Sequence, residues 1–320
     1  MHSNANTEIR IGVSTCLLGE NVRFDGGHKR DSFTTDVLEP FVTYVPVCPE
    51  VDIGLGTPRE SIRLQERDGD IRLVGTRSAA DHTAAMRSYS KRKVKELASL
   101  DLSGYILKKD SPSCGMERVR VYGAKGAPSR TGQGLYAAAL QAAFPDMPIE
   151  EEGRLRDARL RENFVERVFA YRRLQDLLAG RWTVGSLVRF HTAEKLLLLA
   201  HDPAAYRVLG RLVATARQQE RRALEVAYRS TYMAGLKKMA TVRKHVNVLQ
   251  HIQGHFKACA ADLDRRELTQ LIDDFRRGLV PLVVPVTLVR HLVRRYAVEY
   301  LEGQRYLEPH PKELMLRNHV

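Results

Sequence analysis

Three of the four cysteines share a position that suits ligand chemistry. Cys16 follows the run IRIGVS, Cys48 follows FVTYVPV, and Cys114 lies in the loop DSPSCG just after SGYILK. By length and by apolar, β-branched content these runs read as strands over Ile9 to Ser14, Phe41 to Val47 and Ser103 to Lys108. In an open parallel sheet the carboxyl ends of the strands share one edge, where ligands bind, so thiols 32 and 66 positions apart can meet there. A free thiol also packs as a small hydrophobe, which accounts for any one of the three taken singly. Three in equivalent loops argue for binding. Three thiolates can hold zinc with a fourth position left for water, or a [4Fe-4S] cluster with one iron lacking a protein ligand, and spacing does not choose between them. The neighbouring segments Asp25-Gly26-Gly27-His28, Gly54-Leu55-Gly56 and Pro112 to Gly115 permit the tight backbone paths that a bound group requires.

Other reactive side chains form weaker patterns. Cys259 has no cysteine partner and falls in the helical window Val242 to Cys259, so it reads as a buried thiol outside the set of three. His251 and His255 lie four apart with His245 nearby, but an HxxxH pair without a third ligand is an ordinary helical spacing.

The elements that must position the cysteines change character along the chain. Up to about residue 145, short strands alternate with amphipathic stretches such as Ala79 to Leu100, which predicts an α/β N-terminal domain with a Rossmann-like parallel sheet. Beyond the polar, proline-marked segment Phe144 to Gly153, helical spacing takes over in Leu155 to Ala179, Val184 to Leu199, Pro203 to Ala227 and Val242 to Cys259. The expected division is therefore 1–150 as an α/β domain that carries the three cysteines and 151–320 as a mostly α-helical domain. The run Leu196 to Leu199 reads as a buried helix face.

Composition narrows the functional classes. A chain of 320 residues, 43% hydrophobic, has enough apolar material for a sizeable core. The longest apolar stretch, Gly278 to Val289, holds Pro281 and Pro285 and is far short of the roughly 20 residues a spanning helix needs. The polar opening MHSNANTEIR reads as no secretory signal, so the expected compartment is the cytoplasm, with the cysteines kept as thiols. The net charge of +13 is uneven: 20 Lys and Arg face 19 Asp and Glu up to residue 150, and 31 face 19 beyond it. A surplus of +12 in one domain points to a polyanion partner, because Lys and Arg neutralising phosphates supply much of nucleic-acid affinity. Arg221-Arg222, Lys237-Lys238, Arg243-Lys244 and Arg294-Arg295 offer phosphate contacts there, with Tyr228, Tyr232 and Tyr296 nearby for stacking. Lys91-Arg92-Lys93 and Lys95 read as solvated cations toward a helix end.

The segments STCLLGENVRFDGG, PVCPEVDIGLGTPRE and SPSCG, in that order, resemble the signature segments of the thiouracil desulfidase family, over roughly residues 8 to 150. The resemblance implies that Cys16, Cys48 and Cys114 hold a [4Fe-4S] cluster, that Glu50 is the family's acidic residue and that Ser111 is its serine. Asp110 stands where relatives carry a basic residue. HTAEKLLLLAH, HVNVLQHIQGHF and YLEPHPKELMLRNHV resemble a second domain often fused to the first, in proteins similar to tRNA 4-thiouridine desulfidases. On that resemblance the expected substrate is tRNA containing 4-thiouridine, whose C=S at C4 is hydrolysed to C=O with release of sulfide. An iron with an open position suits a soft sulfur ligand and acts without net redox change. Glu50 would be the general base and Ser111 a hydrogen-bonding orienter, against their ordinary uses as a paired loop carboxylate and a turn residue. Two other readings stand beside this one: a desulfidase of free thiouracil-type bases, and a non-enzymatic iron-sulfur sensor that binds RNA.

Overall fold

The computed structural model describes residues 8–123 and 127–319, so the opening segment read above for a secretory signal lies largely outside the described residues. The chain divides into two compact units, Met1–Asp157 and Ala158–Val320.

The first unit is α/β. Its principal sheet is fully parallel and four-stranded, in the order β2 (Thr43–Val47), β1 (Arg10–Ser14), β5 (Leu102–Leu107), β8 (Ile149–Glu151). The central strands are buried almost throughout, as strands covered on both faces must be. Gly12 on β1 lets Tyr105 of β5 lie flat against the sheet, since a Cβ there would fall 2.2 Å from the ring. The Tyr105 hydroxyl lies 3.0 Å from that of Tyr136 on α3 (Leu135–Ala143), joining helix to sheet inside the core. The amphipathic stretch read at Ala79 to Leu100 is α2, Thr83–Leu97. A second, mixed sheet has the order β4 (Asp70–Gly75), β3 (Ile62–Arg67), β6 (Val119–Tyr122), β7 (Ser129–Gly132), with a β3–β4 hairpin that turns at Asp68-Gly69.

The second unit is helical: α4 (Ala158–Leu178), α5 (Val184–His201), α6 (Pro203–Ala214), α7 (Arg221–Lys237), α8 (Val242–Gly254), α9 (Asp262–Arg276) and α10 (Val283–Arg295). Thr183 and Ser186 form a reciprocal capping box that starts α5. Leu196, Leu197 and Leu198 are fully buried in the core of this unit, as the leucine run implies. The single window expected over Pro203 to Ala227 is two helices. The chain breaks at a short turn over Ala216–Gln218, and Glu220 then caps α7 by accepting from the amides of Arg222 and Ala223. Among the described residues no helix is long and apolar enough to cross a membrane.

Candidate active site

Because β1, β2 and β5 run parallel and side by side, their carboxyl ends meet at one edge, and the three cysteines follow those ends. Cys16 sits in a 3-10 turn, Thr15–Leu18, directly after β1. Cys48 is the N-cap of a one-turn helix, α1 (Pro49–Asp52), directly after β2. Cys114 lies in the loop between β5 and β6. That loop is fixed from behind: the Ser113 carbonyl accepts from the amides of Tyr136 (3.0 Å) and Ala137 (3.1 Å), satisfying N-terminal donors of α3 that have no partner within the helix. Gly134 makes this approach possible, because a Cβ there would lie 2.4 Å from the Ser113 carbonyl oxygen.

All three cysteines, Glu50 and Ser111 line a single cavity of about 350 Å³. Glu50 belongs to the first turn of α1 rather than to a loop, and both its oxygens are held. Arg59 Nη2 donates to Oε2 at 2.6 Å, and Ser113 Oγ donates to Oε1 at 2.5 Å, with Ser111 Oγ at 3.4 Å from the same oxygen. Ser111 also performs the turn role open to it, its Oγ accepting from the amides of Ser113 (3.3 Å) and Cys114 (3.1 Å). Ser113 and Arg59 are thus members of the site that the motifs contain but that local reading passes over. Lys108, which lines the same cavity, donates through Nζ to Glu152 at 2.5 Å and through its amide to Ser14 Oγ at 3.0 Å.

Burial sets the electrostatics of the thiols. It pushes Cys16 up to about 11, against the positive charge of Lys108, and it raises Cys48 as well. Cys114 is raised furthest, by burial and then by the charge of Glu50. The charge of each of Cys16 and Cys48 would also raise Cys114, so the three sulfurs occupy one electrostatic neighbourhood. A centre that binds thiolates would supply the compensation these buried groups lack. Among the described residues, no three His, Cys, Asp or Glu side chains are grouped to hold a single metal ion. Three cysteine donors would hold a [4Fe-4S] cluster with one iron lacking a protein ligand, and Arg23, Lys29 and Lys108 line the same cavity to offset its charge.

Other expected features resolve differently. Cys259 is exposed, not buried: α8 stops at Gly254, and the thiol lies beyond it in a turn, so helical periodicity no longer dictates its burial. His251 and His255 pack edge to face at 5.6 Å, and His255 stacks on Tyr300 at 4.5 Å. Tyr228 and Tyr232 are 2% and 0% exposed, which removes them as stacking platforms for a nucleic acid. They stack on each other in the helical core, with the Tyr232 hydroxyl donating to Glu194 at 2.8 Å.

The fold and site define an α/β domain with a three-cysteine pocket at the carboxyl edge of a parallel sheet, joined to a helical unit. Comparison with known proteins agrees: residues 11–152 match the model of the 2-thiouracil desulfurase family, and residues 195–311 match that of a protein family of unknown function, DUF1722. The uncharacterized protein YbgA of Escherichia coli (strain K12) is 37% identical over 153 residues, 48% of this chain and 90% of that protein. The uncharacterized protein YbbK of Bacillus subtilis (strain 168) is 32% identical over 138 residues, 42% of this chain and 90% of that protein. A solved structure, the [4Fe-4S]-dependent thiouracil desulfidase TudS, is 31% identical, with 47% of this chain and 95% of that chain covered and a TM-score of 0.39. The chain belongs to the 2-thiouracil desulfurase family, with a DUF1722 domain following the desulfurase domain.

Proposed function

We propose that this protein is a desulfidase that replaces the C4 sulfur of 4-thiouridine in tRNA by oxygen from water, using a [4Fe-4S] cluster held by Cys16, Cys48 and Cys114. The observation that carries the reading is the assembly of those three thiols with Glu50 and Ser111 in one cavity of a family-matched domain. When bound, the cluster supplies a Lewis-acidic iron with an affinity for soft sulfur. The overall change is C=S plus water to C=O plus hydrogen sulfide, with no electrons gained or lost. Glu50 takes a proton from the attacking water, and Arg59 and Ser113 hold its carboxylate in place for that task. Ser111, 3.4 Å from Glu50, orients the water or the base edge. In this reading residues 1–150 perform the chemistry, and the basic residues of 151–320 hold the tRNA backbone in the cytoplasm.

Anaerobically reconstituted protein should contain about four irons and four sulfides per chain and release sulfide from thiolated tRNA. Stoichiometric zinc without iron would sink the cluster assignment. A second reading, desulfidation of the free base, is favoured by the family description, which concerns 2-thiouracil. It predicts full activity on free thiouracil and no gain from the tRNA.

A further inference from the structure

The helical unit contains a second cavity, of about 240 Å³, whose residues play no part in the chemistry above. Its floor is a buried charged cluster. Glu162 and Glu166 lie one turn apart on α4 and share Arg317 from the C-terminal segment, which donates through Nη2 to Glu166 at 2.7 Å and through Nε to Glu162 at 3.2 Å. The other oxygen of Glu166 meets His201 Nε2 at 3.0 Å, while that of Glu162 faces His319 Nε2 at 3.3 Å. Glu166 is therefore closely held on both sides, and Glu162 only at longer range. Burial and the charge of Glu166 push Glu162 up to about 8, whereas Glu166, despite its burial, is kept low by Arg317 and His201.

Met239, Ala240, Val242, Phe275 and Leu282 give the cavity an apolar side, and Arg159, Asn163, Thr241, His245 and His319 line it as well. Arg159, Thr241 and Val242 at its edge are exposed, and Arg243, next in sequence, is exposed as well. An ion-pair staple for the C-terminal segment explains Arg317 and Glu166. It leaves unexplained a partly apolar space beside the carboxyl with the weaker partners. Two carboxyl groups face Arg317, Arg159 and His201 across this cavity and are paired with Arg317 and His201, so a small ion of either sign would meet charge of both signs. A neutral, flat ring with N–H donors fits both its walls and its floor.

We propose that this cavity receives one unpaired nucleobase of the bound RNA, with the ring against Phe275 and its N–H groups donated to Glu162. The inference rests on the reading that the helical unit binds tRNA. The basic surface would bring the polyanion, and the cavity would read one splayed base, the division usual in RNA recognition.

The test uses the full chain, an unmodified tRNA transcript, and heparin as a polyanion without bases. Ala240→Phe, which fills the space, and Glu162→Gln, which alters the acceptor, should each weaken tRNA binding roughly tenfold, within the usual range for one stacked base. The salt slope should stay the same, because it counts phosphate contacts, and heparin binding should be unchanged. Short-wave ultraviolet cross-linking of the parent protein to the transcript should label the peptide spanning Met239–Val242 or that containing Phe275, which decides the matter even if a variant misfolds. Variants that bind tRNA as the parent does, or cross-links confined to other peptides, would overturn the base pocket while leaving tRNA binding intact. A parent protein that does not bind the transcript would overturn both.

Discussion

Glu50 is the residue on which the proposed chemistry turns, and its environment holds a side chain two positions after a cysteine by both carboxylate oxygens. A carboxylate held by Arg59 on one oxygen and by Ser113 on the other has lost its rotational freedom before water arrives. Glu50→Gln should keep the absorbance of the reconstituted cluster and lower turnover by roughly 10² to 10⁴, the usual scale for losing a general base. Unchanged turnover would reduce Glu50 to a structural partner of Arg59. Ser113→Ala releases one oxygen only, so its turnover should fall less than that of Glu50→Gln, with iron content preserved; iron loss would instead place Ser113 among the supports of the Cys114 loop. That Cys16, Cys48 and Cys114 would gather at one edge was legible in the sequence because each follows a strand end, and Glu50 and Ser111, named through the family resemblance, line the same cavity. Arg59 and Ser113 were not legible, because their part depends on a contact across 9 and 63 positions that no local pattern announces. Cys259 misled for the opposite reason: its burial was inferred from a helix that ends five residues earlier.

At the scale of elements, the pocket depends on three parallel strands ending together and on the packing of α3 against the Cys114 loop. The strands β1, β2 and β5 were readable from apolar runs. The second sheet was not, since IRLQER and SRTG are largely polar and VRVY is only four residues long, and β8 (IEE) carries two carboxylates buried through contacts made elsewhere in the fold. One of those, Glu151, accepts from the amide of Met116 at 2.6 Å, which fixes the chain just past Cys114. Gly134 makes the corresponding contact from α3, and an added methyl would meet backbone rather than a movable side chain. Gly134→Ala should therefore displace the Ser113–Cys114 backbone and cost about 1–3 kcal/mol by overpacking. The expected outcome is a lower melting temperature together with reduced iron retention in the full chain, although residue 134 itself binds nothing. Normal iron content in a destabilised variant would show that the loop tolerates the shift.

Across the whole molecule, charge is divided unevenly between the two units. The surplus of +12 lies beyond residue 150, and the structure sorts the basic pairs that carry it. Lys244 is engaged internally, its Nζ donating to the carbonyls of His201 (2.6 Å) and Met239 (3.0 Å), and Lys238 pairs with Asp202 at 2.6 Å. Arg222, Lys237, Arg243 and Arg294 are exposed on the helices, which makes them the better candidates for phosphate contact. That sorting was invisible in the sequence, where each doublet looked alike. If the helical unit grips tRNA through phosphates, log affinity should fall linearly with log salt, and each lost contact should flatten the slope by just under one unit. Replacing Lys237 and Arg243 with alanine should accordingly raise the apparent constant for thiolated tRNA and flatten its salt dependence, while turnover of a free 4-thiouridine nucleotide stays the same, because neither residue lines the cysteine cavity. Lys244→Ala should instead lower the melting temperature, since it leaves two carbonyls without their donor. Binding of thiolated tRNA that ignores salt, or equal catalytic efficiency on tRNA and on the free nucleotide in every variant, would assign the positive charge to no grip at all and return the protein to the free-base reading.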